Sequence, residues 1–267
     1  MSNNIRITKT GSMDYLQFNR LLEFQDKLTH AIFLKKHNIG FNLEKDIEVR
    51  NEAINTISKE FQISKEHIIQ SNQTHSNNIR EYTSIQDIDK NILNDIDGYI
   101  SKVPQIASII TFADCIPIFI YDCKNNIYSN IHSGWRGVIN QISIKAIKTL
   151  IKKYNSNPTN FICCIGPNIR KECFLVNEDL IAIYRETYGE IIKKYPIIEE
   201  TDLYNEKGKQ YRIDNNLLLK IMFKEIGILD KNIIDSEICT VCNSNDFHSR
   251  RVEGKNFQKG GGLMMLN

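Results

Sequence analysis

The sequence predicts an α+β fold in a single domain, a mixed β-sheet layered with helices. Three observations carry that reading. Runs of β-branched and aromatic residues at 106–121, 126–132 and 161–166 read as buried strands. Other stretches repeat their apolar residues at helical spacing. The two kinds mix without the strict strand–helix–strand alternation of a doubly wound sheet. No repeat, low-complexity tract or Pro/Gly/Ser linker divides the chain, so residues 1–267 read as one domain.

In chain order, Glu44–Phe61 places Ile47, Val49, Ile54, Ile57 and Phe61 near helical spacing with charges between them, an amphipathic helix. Ile106–Tyr121 and Asn126–His132 read as two strands, and the short Asp122–Asn126 connection between them suits a hairpin. Val138–Tyr154 returns to helical spacing, closed by Pro158. Phe161–Gly166 is a short buried strand. Glu178–Lys194 and Asn215–Ile226 read as helices, with Tyr195–Arg212 between them polar and irregular, a surface excursion. The glycine-rich Lys259–Asn267 reads as an extended closing segment.

Composition narrows the function. Lys and Arg total 34 against 32 Asp and Glu, a net charge of +2, so nothing demands a nucleic-acid partner. The apolar runs are interrupted well short of the roughly 20 residues that span a bilayer, and the polar start of the chain lacks the apolar core of a signal peptide. Seven cysteines, an odd and scattered set, argue against a disulfide scaffold. These features predict a cytoplasmic protein with reduced thiols and no membrane partner, a monomer or homodimer.

Reactive side chains concentrate in four stretches: Gln73-Thr74-His75, Thr111–Cys115, His132–Gly137, and Cys239 through Arg251. Cys115 is placed inside the first strand of the hairpin and His132 at the end of the second, so the two fall near one another. With His75 from a polar loop they make a two-His, one-Cys set, which suits Zn²⁺ and leaves a fourth position open. The alternative of a buried thiol beside hydrogen-bonded imidazoles stays open on spacing alone.

The runs TFADCIPIFIYD, NIHSGWRGVINQ, CIGPNIRKECFLV and ICTVCNSNDFHSRR resemble the YfiH family, over about residues 65–253. That family has been described as laccase-domain or multicopper polyphenol oxidase-like, and also as purine nucleoside phosphorylase and peptidoglycan-editing factor. The resemblance implies an enzyme with one zinc held by His75, Cys115 and His132, phosphorolysing adenosine, inosine and methylthioadenosine and deaminating adenosine. Zinc with an open position activates water near neutrality, which agrees with deamination. Copper can enter the same three-ligand site. A true multicopper oxidase is excluded, because six histidines without a single His-x-His pair cannot furnish its copper centres. The chain departs from the family at Phe33–Gly40, which lacks the arginine-containing, glycine-rich segment, and at Lys259–Leu263, where the Gly-Arg ending is replaced.

Asp114 is expected to act as acid/base or to orient a metal ligand. Gln73 either hydrogen-bonds a purine or orders its loop. Arg136 and Arg250 are the expected phosphate contacts, Arg136 alternatively a structural cap, and Trp135 reads as a packing anchor. Cys163 and Cys164 cannot share one face of a strand and read as packing residues. Cys239-x-x-Cys242 followed by His248 suggests a second metal or redox site, weighed against structural thiols. Two other functions compete: a cysteine-type amide hydrolase editing cell-wall precursors, with Cys115 as nucleophile, and a non-catalytic metal-binding module.

Overall fold

The computed structural model describes residues 3–36, 40–41, 47–89 and 92–267, so the His37–Ile39 part of the divergent N-terminal segment lies outside the described residues. The architecture is mixed α+β. A seven-stranded sheet runs in the order β1 (Ile5–Lys9), β2 (Asp14–Phe18), β3 (Leu28–Phe33), β16 (Gly260–Leu266), β8 (Ala107–Phe112), β4 (Ile68–Asn72), β6 (Leu93–Asn94). A six-stranded sheet runs β15 (Ile233–Asp235), β11 (Phe161–Ile165), β9 (Ile116–Asp122), β10 (Ile127–Ser133), β7 (Gly98–Ser101), β5 (Ile79–Tyr82). A small third sheet orders β12 (Leu175–Asn177), β14 (Gly208–Ile213) and β13 (Ile198–Asn205). The helices are α1 (Asn19–Leu22), α2 (Ile47–Glu60), α3 (Trp135–Ile139), α4 (Ile142–Tyr154), α5 (Glu178–Lys194), α6 (Asn215–Glu225) and α7 (Arg250–Glu253).

The two large sheets pack face to face. Along β9, Phe119 and Tyr121 point into the layer between the sheets with Leu16, Ile32 and Met264, while Ile118 and Ile120 face helices α4, α5 and α6. Both faces of β9 are therefore dry, which is why its sequence reads as a continuous apolar run instead of an alternating one. Each such side chain contributes roughly 1.5–3 kcal/mol by leaving water. Cys163 and Cys164 divide between the same two faces, as adjacent strand residues must. On the far side of the first sheet α2 buries Ala53, Ile54 and Ile57. Asn130 of β10 ties the sheets together: its amide donates to the carbonyls of Ser108 and Gly262, each at 2.9 Å.

Three expectations change. The 106–121 run is two strands in different sheets, broken at Ala113–Cys115, where Asp114 takes a left-handed φ of 78°. The 138–154 helix is likewise interrupted, since Gln141 at φ 55° separates α3 from α4. Tyr195–Arg212 contains most of the β13–β14 hairpin; β13 is largely exposed and only Tyr211 and Ile213 of β14 are buried, so little apolar alternation marks them. The glycine tail is extended, as expected, and forms a central strand, β16, hydrogen-bonded to β3 and β8. Its glycines admit aromatic neighbours, since a Cβ on Gly261 would fall 2.4 Å from the Phe41 ring. Within α2, Ile47 is 52% exposed and belongs to the solvent face. No helix among the described residues is long and apolar enough to cross a membrane.

Candidate metal centre and cleft

Two of the chain's passages between the two large sheets each carry one of the expected ligands. The first leads from β4 to β5 through residues 73–78, with His75 at a left-handed φ of 64°. The second leads from β8 to β9 through Ala113–Cys115. Gln73 joins the two passages: its side-chain amide donates to the Thr111 carbonyl at 2.7 Å and accepts from the Thr111 N–H at 2.6 Å. The third ligand comes from the open end of the β9–β10 hairpin, where His132 pairs with Pro117, two residues beyond Cys115.

The ligand atoms of His75, Cys115 and His132 all lie within 4.8 Å of one another. Cys115 Sγ is 3.6 Å from His75 Nε2, and the two imidazole rings meet edge to face at 4.9 Å. Gly134 provides the space. A Cβ there would lie 2.6 Å from His75 Cδ2 and 3.1 Å from Cys115 Sγ, too close for either to stay in place.

Behind the cluster sits Asp97, fully buried immediately before β7. One carboxylate oxygen is 2.8 Å from His132 Nδ1, and the group also accepts from the N–H of Thr74 (3.2 Å), His75 (3.1 Å) and Ser76 (2.8 Å). Burial alone would raise the Asp97 pKa; the donors from His132 and Ser76 outweigh it and hold the pKa below the ordinary value. The bond at Nδ1 fixes the tautomer of His132 and leaves Nε2 for the cluster. Sequence reading missed Asp97. It lies in the polar run Asn94-Asp95-Ile96-Asp97, which looks like any solvated loop, and only the fold separates buried Asp97 from its neighbour.

The electrostatics follow from these contacts. Burial would push the Cys115 thiol up, yet the flanking His132 and His75 imidazoles bring it down to about 6. Burial would push His132 down, but Cys115 and Asp97 raise it to about 9. The metal-free cluster is thus a thiolate–imidazolium pair ready to exchange its proton for a cation. Two imidazoles and one thiolate, one imidazole braced by a carboxylate, match the donor set of Zn²⁺ in sites that keep an open position.

The cluster opens into a cleft of 430 Å³ lined by His75, Cys115, Trp135, Arg136, Phe174, Asn215, Arg250 and Arg251. That volume falls in the range of about 300–1,000 Å³ typical of small-molecule sites. Arg136 lies over the Trp135 ring at 4.1 Å and Arg250 near the Phe257 ring at 5.6 Å, both at the solvent-exposed rim. Trp135 therefore faces the cleft instead of anchoring the core. Asp114 lines the cleft, but its carboxylate accepts from Thr240 Oγ1 at 2.6 Å and from the Arg251 N–H at 2.8 Å. It braces the wall, and the carboxylate behind the metal-facing imidazole is Asp97. Gln73, committed to Thr111, does not line the cleft. Cys115 lies in the crossing loop, half-buried, not inside a strand.

A family profile described as "Multi-copper polyphenol oxidoreductase laccase" matches residues 28–267. Among characterised relatives, purine nucleoside phosphorylase YlmD of Bacillus subtilis is 27% identical over 190 residues, 68% of this chain and 65% of that protein. The chain thus spans just under two thirds of that relative's length. The protein named adenosine deaminase RL5, from an unknown prokaryotic organism, is 24% identical over 209 residues, covering 75% of this chain and 76% of that protein. The solved structure of hypothetical protein YfiH from Bacillus licheniformis superposes over 100% of both chains with a TM-score of 0.85 at 21% identity, which shows the shared fold.

Proposed function

The chain belongs to the family described as multi-copper polyphenol oxidoreductase laccase, the YfiH-like proteins, and from that premise we propose that it is a metal-dependent purine nucleoside phosphorylase with adenosine deaminase activity, working in the cytoplasm. The observation that carries this reading is the joining, in one cleft, of the His75–Cys115–His132 cluster with the guanidinium groups of Arg136, Arg250 and Arg251. The family's laccase description does not fit the chain's donors: six histidines with no His-x-His pair, only two of which join a ligand cluster among the described residues.

Zinc bound by His75, Cys115 and His132 would supply Lewis acidity at the cleft floor. The chain's own residues do the rest. Arg136 and Arg250 bring cationic planar donors to the rim, suited to bidentate contact with phosphate. Trp135 and Phe174 offer aromatic surfaces to a purine. Phosphorolysis converts adenosine and phosphate into adenine and ribose 1-phosphate; deamination converts adenosine and water into inosine and ammonia. The relatives' names, purine nucleoside phosphorylase and adenosine deaminase, support both reactions.

A second reading, amide hydrolysis with Cys115 as nucleophile and His75 as base, is favoured by the lowered thiol pKa and the 3.6 Å approach of the two side chains. Metal stoichiometry separates the two, because zinc held through Cys115 leaves no free nucleophile. In the decisive experiment zinc-loaded protein is incubated with adenosine, with and without phosphate. Ribose 1-phosphate and adenine are expected with phosphate, inosine and ammonia without it, and neither from Cys115→Ala. Absence of all these products from the zinc-loaded wild type would sink the proposal.

A further inference from the structure

A second group of thiols lies behind the cleft wall. The sulfur atoms of Cys173, Cys239 and Cys242 all fall within 4.8 Å of one another, with Cys173 and Cys242 at 3.6 Å. His248, which follows the Cys-x-x-Cys pair in sequence, does not join them; its Nδ1 faces Glu253 at 3.2 Å. Its place is taken by Cys173, some seventy residues away and invisible to any reading of local spacing.

The three thiols come from two segments that the backbone already holds together. The Asn168 N–H donates to the Ile238 carbonyl at 3.2 Å, and the Thr240 N–H donates back to the Asn168 carbonyl at 3.0 Å. A tight turn then projects Cys173, whose N–H donates to the Arg170 carbonyl at 2.9 Å. The thiols are gathered without any covalent link, and all seven cysteines are free. Three free sulfurs held this close with no disulfide between them are an arrangement that a cation would complete.

We propose that Cys173, Cys239 and Cys242 form a second metal site, a thiolate-only site for a soft d¹⁰ cation, Zn²⁺ or Cu⁺. A Zn–S bond of about 2.3 Å places tetrahedral sulfurs about 3.8 Å apart, close to the 3.6 Å separation of Cys173 and Cys242. Thiolates select these ions over harder ones. No fourth side chain joins the group among the described residues, so a water completes a zinc site, whereas three sulfurs suffice for Cu⁺. A disulfide needs its sulfurs near 2.05 Å and would leave the third thiol unused. The bound ion pins the wall of the cleft: Phe174 follows Cys173, Thr240 reaches Asp114 at 2.6 Å, and Arg251 Nη1 donates to the Cys173 carbonyl at 3.0 Å.

The test uses the full chain carrying Cys115→Ala, which removes the thiolate of the cleft cluster. Reduced, metal-free protein is titrated with Zn²⁺, with Co²⁺ as its spectroscopic stand-in, and separately with Cu⁺ against a cuprous chelator. One equivalent of Zn²⁺ or Cu⁺ is expected. With Co²⁺, a near-ultraviolet thiolate-to-metal band of three-sulfur intensity marks the divalent arm; competition with the cuprous chelator marks the other. Adding Cys242→Ser, a change at an exposed position, or Cys173→Ser should abolish that equivalent while circular dichroism stays unchanged. The proposal is overturned if Cys115→Ala binds neither ion, if both serine variants bind as tightly as their parent, or if the purified protein carries a Cys173–Cys242 disulfide and takes up no metal after reduction.

Discussion

The carboxylate of Asp97 lies 2.8 Å from Nδ1 of His132, with both side chains almost completely buried. This pairing orients an imidazole whose other nitrogen faces Cys115, and the same carboxylate gathers the backbone of the His75 loop. A single acidic residue thus positions two of the three ligands of the cleft cluster.

Replacing Asp97 by Asn keeps the shape but removes the charge that supports His132. Braces of this kind are worth about 10–100-fold in metal affinity. Asp97→Asn is therefore expected to weaken zinc binding by about that factor, measured by competition with a chelator of known affinity. Asp97→Ala is expected to unfold more readily, by about 1–3 kcal/mol, because it removes the acceptor of three part-buried backbone N–H groups and the partner of buried His132. An Asp97→Asn protein with wild-type zinc affinity would show that His132 needs no brace.

Gly134 is a spatial requirement of the cluster, since a methyl group there collides with His75 and crowds Cys115. Gly134→Ala should lose most of its zinc at the cleft. Its folding free energy should fall by about 1–3 kcal/mol, the usual cost of overpacking. Elemental analysis alongside a urea titration separates the two effects; full zinc occupancy at the cleft in the variant would count against the geometry.

In metal-stripped protein the imidazoles hold the Cys115 thiol near 6, against an ordinary value of about 9. The rate of Cys115 alkylation by iodoacetamide should therefore rise through a midpoint near pH 6. His132→Ala, which removes the main source of that stabilisation, should move the midpoint up. A wild-type midpoint at or above 8 would contradict the pairing.

His30 reports on the interior in a different way. Its Nε2 accepts the Phe18 N–H at 2.8 Å, and burial lowers its pKa to about 3. An unfolded histidine takes a proton near 6.5, so between those values the unfolded chain binds the extra proton. Stability accordingly rises with pH in that window and is lost as pH falls below about 6.5, by up to about 1.4 kcal/mol per unit. From pH 7 to 5, wild type should lose about 2 kcal/mol more than His30→Gln, read from denaturant midpoints at the two pH values. Equal losses would place the acid sensitivity elsewhere.

The clustering of His75, Cys115 and His132 was readable in the chain because all three sit beside motifs of unusual composition. The hairpin that brings two of them together announces itself through β-branched runs around a short turn. Asp97 and Cys173 were not readable, since their roles exist only once distant segments meet. The crossing at Ala113–Cys115 was hidden for another reason: Asp114 takes a left-handed backbone conformation without glycine inside an otherwise continuous apolar run. That is why 106–121 looks like one strand when it is two. Gln73 and Asp114, both chemically plausible as substrate contacts, are occupied by Thr111, Thr240 and the Arg251 backbone.

The strand β16 also sets an order of assembly. It lies between β3 and β8, which have no direct pairing with each other, so the first sheet remains in two pieces until residues 260–266 arrive. Every partner of that strand is made long before it, and closure must bring together residues such as Ser108 and Met264, 156 positions apart. Distant pairing of this kind slows folding, because the entropy of closing the loop is lost before any contact repays it. Until then the flanks of β3 and β8 are unpaired edges, open to other chains. The nascent protein is most vulnerable to aggregation in that interval, and its finished sheet depends on the arrival of a seven-residue strand.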